Sequence, residues 1–197
     1  MFQSTKNVGG RAPCQDDYAT FHAMRFAQFA AWSEEARVSY LADLTCAGDT
    51  GRNLVAEKYL RMMEFTCPEY YAAQQPLLPL LTPEQRALAD RLCAEMICQT
   101  ALLRQAFPHI GGAGRPLYSR EDTRWETSVE TYERGELYTY SYKTLQALQS
   151  QLKRLEAQDL LLPGEILQNT VKSYGYSSLE AAEQSFSQRT ADGKEEQ

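Results

Sequence analysis

The run Thr82-Pro83-Glu84-Gln85 constrains this chain more than any other stretch. A threonine able to accept from a backbone N–H, a proline at the first helical position and a glutamine three residues on together mark a helix start. The helix it opens carries Leu88, Leu92, Met96, Leu103 and Phe107, with Ala89, Cys93 and Ile97 beside them, until Pro108 stops it. A stripe that broad belongs to a helix with neighbours on several sides, as at the centre of a bundle.

The rest of the chain reads as further helices and no strand. Asp16 or Asp17 caps a helix with Phe21, Met24, Ala27 and Ala31 in register, and Ser33 caps one whose stripe is Val38, Leu41 and Leu44, ending at Gly48. A third runs from about Arg52 to Phe65, and Thr66-x-x-Glu69 reads as a capping box for a short aromatic helix. Gln74 to Leu81 is a proline-punctuated connector, and Pro108 to Asp122 is the longest expected loop. Ser141 to Ala157 carries Leu145, Leu148, Leu152 and Leu155; a helix past Pro163-Gly164 ends at Gly175, and Ser177-x-x-Glu180 caps the last. With no repeat of solenoid length, the expected fold is all-α: a single irregular multi-helix bundle with one long central helix, spanning 1–186, and a polar disordered tail over 187–197.

Composition narrows the partners. Against 26 Asp and Glu stand 20 Lys and Arg, a formal net charge of -6, which disfavours a nucleic-acid binder or a polybasic membrane sticker. No apolar run approaches the roughly 18 residues of a membrane span, and the N-terminus lacks a signal-peptide pattern, so the expected setting is the cytoplasm. Five cysteines without CxxC pairs point to reduced thiols. Cys46, Cys93 and Cys98 lie in apolar helical patterns and are expected as small hydrophobes, whereas Cys14 sits in the loop-like GGRAPCQDD, where an inert thiol is favoured over a reactive one.

Diagnostic motifs are missing. The glycine-rich His109 to Arg115 stretch follows a helix and lacks the lysine–hydroxyl pair of a phosphate loop, so a turn is expected there. His22 and His109 form no HExxH, and Ala19 and Ala106 stand where a Glu-x-x-His di-iron site needs glutamate. Glu130, Glu133 and Glu136 recur every third residue, and Glu180 and Glu183 make a second pair, which magnesium would accept. The expectation is nonetheless that these spacings are solvated faces and that no metal is bound. No cofactor is indicated.

Polar chemistry concentrates in Thr127 to Leu145, where Glu130, Glu133, Glu136, Arg134, Tyr132, Tyr138, Tyr140 and Tyr142 crowd around Gly135. Thr127-x-x-Glu130 reads as a capping box and Glu130 with Arg134 as an i,i+4 pair. These uses leave Glu136, Thr139, Tyr140 and Ser141 unexplained beside a glycine that either breaks the helix or admits another backbone or a ligand. If the corner is buried its carboxylates need arginine or hydroxyl partners; Arg11, Arg25, Arg52, Arg61 and Arg115 are available. A face of Glu57, Arg61 and Glu64, on the helix that begins with Arg52 and Asn53, is placed to meet the Glu130 and Arg134 corner.

Four blocks, GGRAxCQDD from Gly9, GRNLxxEKY with Met62-Met63-Glu64, TSxETYxRGELxTYS from Thr127, and Lys172-x-Tyr174-Gly175-Tyr176 with Leu179-Glu180-x-Ala182-Glu183, resemble an uncharacterised bacterial family of unknown function. The resemblance covers nearly the whole chain and implies one intact domain whose polar blocks belong together; no activity comes with it.

Three functional readings stand side by side. The leading one is a binding or catalytic protein for a small polar or anionic molecule held between helices. Its candidate ligand-binding residues are Arg11, Arg52, Asn53, Glu57, Arg61, Arg115, Thr127, Ser128, Tyr132, Arg134 and Tyr140, with Glu130 and Glu136 as candidate catalytic acid and base. The second is a non-enzymatic interaction or regulatory module, a homodimer with Tyr138, Tyr140 and Tyr142 exposed as a contact patch. The third is a magnesium-dependent nucleotide hydrolase, which needs Glu130, Glu133 and another acidic pair to converge.

Overall fold

The computed structural model describes residues 17–112 and 114–195, with side chains through Arg189; Arg11 and Cys14 lie outside the described residues. Among these, there are ten helices and no strand, an all-α bundle. In chain order they are α1 (Tyr18–Ala31), α2 (Glu34–Asp49), α3 (Leu54–Thr66), α4 (Pro68–Gln74), α5 (Pro83–Ala106), α6 (Pro108–Gly112), α7 (Val129–Leu137), α8 (Tyr142–Glu156), α9 (Leu162–Ser173) and α10 (Leu179–Glu195). No described helix is long and apolar enough to cross a membrane.

Local chemistry sets most of these boundaries. Thr82 accepts from Gln85 N at 3.1 Å, Ser33 from Ala36 N at 3.3 Å and Ser141 from Thr144 N at 3.2 Å, each satisfying an orphan donor of a first turn. Two starts fall one residue later than expected: Ser128 caps α7 through Thr131 N, and Ser178 caps α10 through Ala181 N. Thr66 closes α3 instead of opening α4, which has Cys67 at its cap position and no side-chain cap. Within the expected Pro108 to Asp122 loop, Pro108–Gly112 is helical, because Glu183 of α10 caps it: its carboxylate accepts from the N–H groups of His109 and Ile110, both at 2.9 Å. The polar stretch from Ser187 runs on α10, which continues to Glu195.

The central helix is α5, which packs on α6, α7, α8 and α9. Its Leu88, Leu92, Cys93, Met96 and Ile97 join Trp32, Leu137, Tyr140, Leu145, Leu148, Leu152 and Leu162 in the main core. At roughly 1.5–3 kcal/mol for each large side chain withdrawn from water, this stripe fixes the bundle. A smaller core of Ile110, Val171 and Ala182 ties α6, α9 and α10 together. The stripe expected on α2 is wrong: Val38 and Leu41 are exposed, and the buried residues are Ala36, Ser39 and Ala47. These small residues let α2 approach α8 closely enough for Thr144 Oγ1 to donate to Asp43 Oδ2 at 2.7 Å and to lie within hydrogen-bond distance of Ser39 Oγ at 2.8 Å. Of the three cysteines expected inside, Cys93 is buried but Cys46 and Cys98 are exposed.

Candidate functional site

The polar corner forms where α3 crosses α7. Gly135 leaves that helix unbroken and admits the neighbouring backbone: a Cβ there would lie 2.8 Å from Met62 Cγ and 3.1 Å from the Lys58 carbonyl oxygen. The close crossing carries Lys58 and Glu136 into the interior, where Lys58 Nζ donates to Glu136 Oε2 at 2.6 Å. Arg25 of α1 donates through Nη1 to the other carboxylate oxygen, which also accepts from Tyr140 Oη at 2.8 Å and Gln28 Nε2 at 3.3 Å. Burial alone would raise the Glu136 pKa, but the Lys58 and Arg25 charges outweigh it and hold the carboxyl well below the usual range. Burial and the Glu136 charge push the Tyr140 phenol upward, so it stays a donor. The Lys58 ammonium also stands 3.2 Å over the Tyr132 ring, whose electron-rich face stabilises it.

One turn back on α7, Glu133 has the opposite character. It makes no hydrogen bond or ion pair among the described residues. Burial, then the nearby Glu136 charge, push its pKa up to about 7 against the opposing pull of Lys58 and Arg25. Two carboxylates three residues apart therefore differ in state near neutral pH: Glu136 ionised and saturated with donors, Glu133 poised between forms.

Both line a cavity of about 480 Å³ between α1, α3, α5, α6, α7 and α9. Its walls are mainly apolar, including Met24, Val55, Met96, Ile97, Leu103 and Ile166. Its charged lining comprises Arg25, Lys58, Arg104, Arg115, Glu133 and Glu136. Arg115 stacks on Tyr132 with its Cζ 5.2 Å from the ring centroid, and Arg104 donates to the Arg115 carbonyl at 2.9 Å.

Of the residues the sequence singled out, Glu136, Tyr132 and Arg115 line this cavity, and Tyr140 reaches it through Glu136. The others serve the scaffold. Glu130 turns away, accepting from Ser119 N at 2.7 Å and Arg134 Nη2 at 2.6 Å, and burial notwithstanding those bonds lower its pKa. Arg134 spans Glu130 and Asp90, so neither residue meets the cavity. Arg52 and Glu57 pair with each other at 2.7 and 2.8 Å, and Asn53 caps α3 by accepting from Val55 and Ala56 N. Arg61 is buried away from the Glu130 corner, donating to the Pro79 carbonyl at 2.9 Å and facing the Tyr138 ring. Thr127 contributes its carbonyl to Arg115, and Ser128 its cap.

The contact-patch reading required exposed tyrosines, but Tyr138 and Tyr140 are buried and only Tyr142 of that group is exposed. The magnesium reading required convergent acids. Among the described residues no three His, Cys, Asp or Glu side chains gather so as to hold a metal ion, and Glu183, of the second pair, is engaged at α6.

Sequence reasoning did not single out Lys58 or Gln28, took Glu133 as a solvated acid or a magnesium ligand, and took Arg25 only as one available cation among several. A signal was present for Lys58: it lies four residues after Leu54 and four before Met62, both buried, so it occupies the inward face of α3. Arg25 likewise falls four residues after Phe21 and four before Phe29 on α1. A charged residue within an apolar stripe has to meet a buried partner, and Glu136 is the partner of both.

No curated protein and no solved structure matches this chain. A family model described as a protein of unknown function (DUF4125) matches residues 1–184, and the chain belongs to that family.

Proposed function

We propose that the protein binds a small molecule with an apolar body and a hydrogen-bonding head in the interhelical cavity, and that Glu133 exchanges a proton with that head. The observation that carries this reading is the position of Glu133: a carboxyl with no partner among the described residues, lining a largely apolar cavity beside a charge cluster whose other carboxylate, Glu136, is fully paired. A half-buried carboxyl left unpaired against apolar walls is costly to the fold, and a group balanced between its two forms near neutral pH suits a general acid or base. The cavity volume falls in the ~300–1,000 Å³ range of small-molecule sites. Glu136, Lys58 and Tyr140 position the site, and Glu133 is the catalytic group. The cytoplasm of a bacterium is the setting in this reading, consistent with exposed unpaired thiols at Cys46 and Cys98.

The test is a thermal-shift screen of small amphiphilic molecules against wild type, a cavity-filling Val55→Trp variant and Glu133→Gln. True ligands raise the wild-type Tm, lose the effect in Val55→Trp, and show altered pH dependence in Glu133→Gln. Ligands that stabilise all three proteins alike across pH would overturn the reading.

A further inference from the structure

The cavity's charge pattern specifies the head of its occupant. The chain as a whole carries a formal charge of -6. The cavity lining reverses that sign: Arg25, Lys58, Arg104 and Arg115 stand against Glu133 and Glu136, four cations against two carboxylates. With Glu133 protonated the excess of positive charge grows by one.

Within this lining the donors are unequally engaged. Lys58 is committed to Glu136 and to the face of Tyr132. Arg25 uses Nη1 for Glu136 and Gln28, while its Nε and Nη2 make no hydrogen bond among the described residues. Those two nitrogens present the parallel N–H pair that matches a planar carboxylate. The charged and titratable groups that share the cavity lining with Glu133 are Glu136 and Tyr132 of α7, Lys58 and Tyr59 of α3, Arg25 of α1, Arg104 of α5, and Arg115, and of these Glu136, Lys58 and Arg25 act on its charge. None of them hydrogen-bonds Glu133, so its protonated form can donate to a ligand oxygen.

We propose that the occupant is a monocarboxylate with a hydrocarbon body, its head held side-on by Nε and Nη2 of Arg25 beside the Glu133 carboxyl. This deepens the cavity-binding reading above and rests on it. A phosphate monoester fits less well: its third oxygen and second charge would be brought towards the Glu136 carboxylate, whose partner Lys58 is already engaged. An amine head would oppose the local field, and an alcohol would leave the Arg25 edge unused. The apolar walls take the hydrocarbon body.

Calorimetric titration of decanoate, decan-1-ol, decylamine and decyl phosphate at pH 6.5 tests the assignment. Decanoate is expected to bind wild type at least about tenfold more tightly than the other three, as one charge-assisted bidentate contact implies. Arg25→Lys, which keeps the charge opposite Glu136 but loses the fork, should weaken decanoate at least about tenfold and leave decan-1-ol unchanged. Should Arg25→Lys fail to fold, the infrared carboxylate bands of 13C1-decanoate bound to wild type decide: an ionised bidentate head supports the proposal and a protonated head overturns it. Equal or tighter binding of the alcohol, the amine or the phosphate also overturns it, as does decanoate binding unaffected by Arg25→Lys. If decan-1-ol binds in a Val55-dependent way while decanoate does not, the carboxylate assignment falls and the cavity reading stands.

Discussion

Lys58 Nζ on α3 lies 2.6 Å from Glu136 Oε2 on α7, and each side chain is only 3% exposed. The pair joins two helices at their closest crossing, so removing one member strands a charge in the interior. Lys58→Met is expected to destabilise the fold by about 3–5 kcal/mol, towards the lower end because Arg25 still faces the carboxylate. Adding Glu136→Gln to that variant removes the stranded charge and should recover part of the loss. Urea denaturation of the two single variants and the double variant measures the coupling directly.

The same pairing gives stability an acid limb. Glu136 has its folded pKa held below the ordinary carboxylate value by Lys58 and Arg25 despite burial, which alone would raise it. The stabilisation is complete above that ordinary value of 4.5 and disappears as pH falls from there towards the depressed folded value. Wild-type stability should therefore drop below pH 4.5 by up to about 1.4 kcal/mol per pH unit more steeply than that of Glu136→Gln. Glu130 and Glu183, also lowered, act in both proteins and cancel in the comparison. Equal acid slopes would show that the carboxylate is not held in its ionised form.

At Gly135 two effects of opposite sign compete. Alanine within a helix gains about 1 kcal/mol over glycine. Its Cβ, however, would meet Met62 Cγ at 2.8 Å and the Lys58 carbonyl at 3.1 Å. The methionine can swing aside, but the carbonyl belongs to α3 and moves only if the helix does. With a backbone carbonyl in the way the overpacking cost lies towards the upper part of about 1–3 kcal/mol, and after the helical gain Gly135→Ala should be destabilised by up to about 2 kcal/mol in thermal or urea melts.

How far this was readable from the chain depends on the range of the interactions. Thr82, Ser33 and Ser141 cap helices through partners three residues away, and Glu130 meets Arg134 one turn on; these are local and legible. The placement of polar chemistry near Gly135 was legible too, because a glycine amid bulky polar neighbours marks a close approach. Which cation enters was legible only in part. Lys58 and Arg61 share α3 and Arg52 precedes its cap; the register of Lys58 marks it for the interior, but only the crossing with α7 pairs it with Glu136, while Arg52 folds back on Glu57. Similarly, Val38 and Leu41 look like a core stripe until α8 claims the small-residue face of α2. Glu133 reads as a solvated acid on spacing alone; the cavity that isolates it is built by five other helices.

Glu133 supplies the prediction with the sharpest sign. Burial and the Glu136 charge raise its folded pKa from the ordinary 4.5 to about 7. Between those values the native state binds a proton that the unfolded chain has released, so this residue makes stability decline as pH rises through the window. Above pH 7 the native state must keep an ionised carboxylate in an apolar cavity, a penalty of about 1–3 kcal/mol for a partly accessible group. Glutamine mimics the protonated form in size and neutrality. Glu133→Gln should therefore match wild type near pH 4.5 and exceed its stability by that amount at pH 8, the direction opposite to Glu136→Gln in acid. Side-chain carboxyl 13C shifts followed by NMR give the residue's titration independently. A midpoint near the ordinary 4.5 would mean that water reaches Glu133 freely, and the stability gain at pH 8 should then vanish with it.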